Sequence, residues 1–391
     1  MPGVTAEPGS PGPDVARRDV WLAYAYLSAI GFVLYALGAL TPYLQRDLGV
    51  TAAEAALHPS ALAVGLMAAG ALGDRVERRF GRRNAGVLAV GTIALGGVGV
   101  AAGGTLPVTI AGAGLLGLGS GNVLAATNLV LSQGGGTGAT QRLARGNAWS
   151  LLVSIQAPIL IAVTASSALG WRAVPILAAS VPVLLEVAGG LPAVEGAHTP
   201  ARSDEARAPV RLEPGFWAAW LFVVAAVSIE FGYVVWGSTM VRARTGQPLD
   251  AATVIATLFL VGMLVARLAL GFGIVGIARA RWWIEIALAA TAAGTIGLLV
   301  TGSVAGAALG LLVAGLGTGS LYPQGMAIAF SRAGGALLAA GARLSLASGV
   351  AILAVPLALG ALADAVGVVN GWPLLLVLCL AALAFRRLSE R

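Results

Sequence analysis

Glu230 is the residue best placed to do chemistry in this chain. It lies about sixteen residues into an apolar run spanning 215–241, which at about 1.5 Å per helical residue puts its carboxyl near the middle of a bilayer. Tyr233 follows at i+3 and Gly237 at i+7, so one helical stripe offers a carboxylate, a phenol and space. An ionisable group at that depth is costly and is a functional candidate by default. It can exchange protons or read a cationic substrate; equally, a structural hydrogen bond can hold it neutral. Tyr35, Asn122, Gln156, Tyr322 and Gln324 are further polar groups at middle depth and, with Tyr233 and Trp236, outline a cavity. Helix–helix hydrogen bonding is an equal alternative for each polar group, and an interfacial aromatic for Trp236. Glu186 and Glu285 lie nearer a membrane surface, Asp364 is expected at an interface, and His58 is expected exposed at a helix start.

The solvent around these groups follows from composition. Of 391 residues, 58% are apolar and 10% charged, and 55 glycines come in addition. Soluble domains carry about 25% charged residues, and a water-soluble globule of this size could not hide so much apolar surface. Soluble enzymes, nucleic-acid binders and disordered proteins are excluded, and an integral membrane protein remains. The formal charge of +7 is carried by arginine alone, with no lysine. The single cysteine, Cys379, leaves no intramolecular disulfide or cysteine-cluster metal site, and no cofactor or metal is expected.

Hydropathy predicts an all-α fold of twelve transmembrane helices, at 20–44, 57–73, 85–103, 106–131, 147–169, 173–194, 215–241, 251–275, 282–301, 304–330, 344–366 and 368–385. The polar, proline-rich stretch 195–213 divides them into a six-helix half at 19–194 and another at 214–386. Residues 1–18 read as a disordered tail and 387–391 as a short C-terminus. Nineteen arginines fall on the side of both termini and four on the other, with Arg267 at an inner edge. This bias predicts cytoplasmic termini and a multi-pass plasma (inner) membrane protein. The halves look related: Gly117-Leu-Gly-Ser-Gly121 recurs as Gly315-Leu-Gly-Thr-Gly319, and Gly70–Arg75 has an echo in Gly262–Arg267. Such internal repeats mark secondary transporters.

Between spans two and three stand Gly70, Gly73-Asp74-Arg75, Glu77-Arg78-Arg79 and Gly81-Arg82-Arg83. This stretch resembles the G-x-x-x-D-R-x-G-R-R signature of the major facilitator superfamily, and Gly170-Trp171-Arg172 resembles another recurrent feature of that family. Five residues separate Arg75 from Gly81 where the family has one; a second register starts at Gly73 and uses Glu77-Arg78. The resemblance implies a pseudo-repeated major facilitator fold and alternating access. It also implies a cytoplasmic gate, formed by Gly70, Asp74, Arg75, Gly81, Arg82 and Arg83, that holds the halves together when the protein opens outward. Asp74 would pair with nearby arginines or with a helix start from the other half, near Arg343; a plain topology anchor is the alternative.

The expected function is therefore secondary transport of a small organic solute, coupled to protons through Glu230, by a monomer in the lipid bilayer. Proton-driven export of a hydrophobic compound or drug is the first rival. Against it, span four has no arginine and span five lacks the glycine-rich pattern of drug/proton antiporters. A non-transporting sensor or scaffold on the same fold is the second. No ATP-binding loop occurs, and two histidines outside the expected membrane interior argue against an intramembrane enzyme.

Overall fold

A computed structural model describes residues 16–133, 136–190, 212–271, 280–334 and 337–390. Among them the regular elements are helices: α1 (Arg17–Leu48), α2 (Ala52–Phe80), α3 (Arg82–Ala102), α4 (Leu106–Ser132), α5 (Gly136–Ser154), α6 (Gln156–Ala165) and α7 (Ala173–Ala188). The second set is α8 (Pro214–Thr245), α9 (Leu249–Gly271), α10 (Ala280–Val300), α11 (Val304–Ser331), α12 (Leu337–Val366), α13 (Val368–Gly371) and α14 (Leu374–Leu388). Eleven spans are long and apolar enough to cross a membrane, with α5 and α6 counted together and α13 and α14 together. The 16-residue α7 is a twelfth, shorter apolar helix. The 1–15 tail, most of the expected linker and the end of the eighth run lie outside the described residues.

Helix ends follow capping rather than hydropathy. The second apolar run covers 57–73, yet α2 begins at Ala52, because Thr51 and Glu54 form a reciprocal capping box. It ends at Phe80, where Gly81 takes φ +78°, and α3 starts at the next residue. The fifth run divides into α5 and α6 because Pro158 has no N–H to offer the Ser154 carbonyl four residues back. His58 is a correction: it is fully buried, with Nδ1 2.8 Å from the Ala55 carbonyl and Nε2 2.8 Å from Thr109 Oγ1.

Close backbone approach repeats between the halves. A Cβ on Gly117 would stand 2.0 Å from the Leu62 carbonyl oxygen, and one on Gly315 2.0 Å from that of Phe259. Gly65 likewise meets the Gly114 oxygen as Gly262 meets that of Leu312, and Gly119 meets Ala89 as Gly317 meets Ala287. Each pair of equivalents is 197 or 198 residues apart, so α2–α3–α4 and α9–α10–α11 are packing copies. The apparent echo of Gly70–Arg75 in Gly262–Arg267 is therefore out of register. Gly262 packs as Gly65 does, and Arg267 stands where the first half has Gly70.

The halves meet through α1 against α8, α2 against α12, and α5 and α6 against α9. Hydrogen bonds between them run from mid-depth to the end of the bundle opposite the termini, here the far side. Ala52 and Ala53 at the start of α2 each donate a backbone N–H to the Asp364 carboxylate at 2.8 Å. Ser60 Oγ donates to the Leu353 carbonyl, also at 2.8 Å. Asp250 accepts from Tyr43 at 2.9 Å and from Ser166 at 3.0 Å. At mid-depth Met67 packs so tightly on Gly349 that a Cβ there would come within 2.5 Å of it. Among the described residues the hydrogen bonds named here between the halves thus gather toward the far side.

Candidate functional site

The two most buried spans, α1 and α8, carry the centre of the site, with 67% and 78% of their apolar stretches inside the protein. Glu230 lies midway along α8, and α9 aims Arg267 at it: Nη2 is 3.3 Å from Glu230 Oε2. Tyr35 of α1 donates its hydroxyl to Glu230 Oε1 from the other half. Arg267 Nε points at the Gly319 carbonyl on α11, at 3.4 Å. Tyr322, also on α11, lies near Arg267. Among the described residues one polar cluster therefore joins three helices of the second half to Tyr35 of the first. Side-chain exposures of 7% for Glu230 and 18% for Arg267 make the guanidinium the more accessible partner.

This arrangement holds one positive and one negative charge at the membrane's middle and keeps their sum at zero. Tyr35 reaches Glu230 across the interface between the halves.

The other expected residues are placed differently. Tyr233 turns away from Glu230 into the second half, where it hydrogen-bonds Thr295 at 2.7 Å and stacks on Phe259 at 4.3 Å. Trp236 is buried and donates to the Pro356 carbonyl at 2.9 Å, so its indole braces α8 on α12. Asn122 and Gln324 each bond a carbonyl of their own helix, and Asn122 sits beside Gly73 of α2. Gln156 is exposed at the start of α6. A cavity of about 20 Å³ lies between the halves, lined in part by Tyr35, Tyr233, Ser238 and Thr253. It has room for about one water.

Arg267 is the member of the cluster whose position in the chain suggests an inner edge, among the topology arginines. Its signal was present: the run stays apolar from Leu268 to Ile277, so the arginine lies inside a span rather than after it. Asp364 likewise reads as interfacial but caps a helix of the opposite half.

The sequence model of the Major Facilitator Superfamily matches residues 20–337. The chain belongs to this superfamily. It is a secondary transporter and not an enzyme. The fold of a D-xylose-proton symporter is similar, with a TM-score of 0.73 at 16% identity, covering 95% of this chain and 97% of that one. The nucleoside transporter NupG gives 0.72 at 13% identity, over 94% and 99%. A POT family peptide transporter gives 0.70 at 15%, over 96% and 97%. No curated protein matches the chain.

In this transporter the stretch 70–83 is mostly helix. The four residues beyond the family spacing between Arg75 and Gly81 form about one more turn of α2, close to the 3.6 residues that return the chain to the same face. Glu77 accepts from Arg82 Nε at 2.6 Å, whereas Asp74 has no hydrogen bond or ion pair among the described residues. Gly70 is exposed with open space beside it, and Arg75 and Arg83 are exposed. Trp171 and Arg172 both donate to Asp47 at the end of α1, at 2.7 and 2.8 Å, tying the 170–172 turn to the first helix.

Proposed function

We propose that the chain carries a small organic solute across the plasma membrane together with protons, by alternating access, with Glu230 as the group that takes up and releases the proton. The observation that supports this most is the Glu230–Arg267 pair, bridged by Tyr35 to the opposite half. A proton arriving at Glu230 weakens both the ion pair and a contact across the rocking interface, linking protonation to domain motion. A neutral membrane-buried pair is the form in which two charges are tolerated at this depth. The xylose-proton symporter is a proton-coupled example on the same fold.

The protein works as a monomer of two six-helix halves joined by the 195–213 linker, with both termini in the cytoplasm. The far side is then the outside, and the described state opens inward. In it Asp74 has no partner across the interface, consistent with a gate at Gly70, Asp74, Arg75, Gly81, Arg82 and Arg83 that engages in the outward-open state. Two measurements test the reading. Solute uptake into proteoliposomes should follow an imposed pH gradient in either direction; transport indifferent to both gradients would contradict it. Reporter fusions at both termini should report the cytoplasm.

A further inference from the structure

We propose that the solute is a small organic monocarboxylate, held by Arg267 while Glu230 carries one proton. This rests on the proton-coupled reading and narrows it to a substrate class. Among the described residues Glu230 and Arg267 are the acid and base at mid-membrane depth. Their charges cancel, and each would cost several kcal/mol to hold there alone. Whatever binds must preserve that balance.

A cationic solute would need the guanidinium to lose its charge, which arginine does not do in proteins. A neutral solute brings no charge, so a proton taken up by Glu230 alongside it would leave the guanidinium uncompensated. A monoanion displaces Glu230 from Arg267, and one proton then neutralises the released carboxyl. The steps balance: a proton from the open side adds to a Glu230 Oε, the solute carboxylate takes its place at Arg267, and the net charge is zero before and after. Transport is therefore electroneutral, one carboxylate with one proton.

The geometry favours the exchange. Arg267 makes long contacts of 3.3 Å to Glu230 and 3.4 Å to the Gly319 carbonyl, where charge-assisted bonds run at about 2.7–2.9 Å. Its five-donor fork is therefore underused, and a carboxylate could engage it in a bidentate manner. Among the described residues the groups facing Glu230 are Tyr35 from α1, Arg267 from α9 and Tyr322 from α11. Cys379 of α14 approaches Tyr233 instead. Phe231, 6.1 Å from the Tyr35 ring, offers an apolar wall for the organic part.

The test is the thermal stability of the purified full-length protein with acetate, lactate, phenylacetate and benzoate. Each is compared with its amide and with an amine of matched skeleton, from mildly acid to mildly alkaline pH. At least one carboxylate should stabilise the wild-type protein, with affinity falling about tenfold per pH unit as pH rises, because binding takes up one proton. The matching amide and amine should not. Glu230→Gln should bind the carboxylate without pH dependence, and Arg267→Gln should lose it. Since Arg267→Gln strands a buried carboxylate, the double variant, which restores neutrality, should melt near the wild type and still ignore the carboxylate. Failure of every carboxylate, an equal response to amide or amine, or binding by Arg267→Gln overturns the proposal. A neutral solute whose pH-dependent binding is lost in Glu230→Gln removes the carboxylate and leaves coupling intact. A carboxylate bound through Arg267 with no pH dependence in the wild type overturns the proton half and the coupling reading with it.

Discussion

At equivalent positions the two halves carry the same glycines and different chemistry. Gly65, Gly117 and Gly119 have counterparts in Gly262, Gly315 and Gly317, each pressed on a neighbouring backbone carbonyl. The same spacing sets Gly70 opposite Arg267. It also sets Val33 opposite Glu230, since α1 and α8 are both 32 residues long and end at Gly49 and Gly246 in the same left-handed turn. Among the described residues the first half brings Tyr35 to the central cluster. At the three glycine positions, where a side chain would strike the main chain of the next helix, both halves have the same answer. Where the helices leave room, they diverge, and the charges collect in the second half.

The largest expected effects come from breaking that asymmetry at its centre. Arg267→Gln should abolish transport and cost about 3–5 kcal/mol of stability by stranding a buried carboxylate. Adding Glu230→Gln to it should recover most of the stability but none of the transport, read by thermal melts beside uptake. The symmetric part is probed by Gly117→Ala and Gly315→Ala. Each places a methyl group 2.0 Å from a carbonyl oxygen, and both should lower stability by a similar amount, about 1–3 kcal/mol. A large difference between them would show that the halves do not pack as copies.

Smaller effects separate the far end, where the halves are hydrogen-bonded, from the terminal end. Asp364→Asn removes the negative charge from the start of α2, a helix-terminus interaction of about 0.5–1 kcal/mol. The far side should open more often, seen as faster labelling of single cysteines introduced there. Asp74→Asn should change the melting of the described state by less than about 0.5 kcal/mol, since Asp74 has no partner in it. If the gate reading holds, the variant slows transport all the same; a clear loss of stability would contradict the inward-open assignment.

The fold was legible because bilayer length and arginine bias act on whole runs of residues, and eleven of twelve spans reappear as long apolar helices. Helix ends were less so: hydropathy detects the lipid-facing stretch, whereas Thr51, Gly81 and Pro158 set where the hydrogen-bond ladder stops. Glu230 stood out as an acid in the middle of a span. Its partner did not, because an arginine four residues before the end of α9 resembles a topology anchor until the side chain is seen reaching inward. Tyr233 and Trp236 share Glu230's helix but not its surroundings. Sequence spacing gives a helical stripe, while the neighbours that the stripe meets are set by packing, here Thr295, Phe259 and the Pro356 carbonyl.

The most direct test of Glu230 as the coupling group compares two activities of Glu230→Gln in proteoliposomes, using the solute that most stabilises the wild-type protein. With the carboxyl fixed neutral, the carrier can still exchange solute for solute but has no proton to release. The expected result is exchange near the wild-type rate and no accumulation under a pH gradient. A Glu230→Gln protein that still concentrates solute against its gradient when a pH gradient is applied would contradict the account.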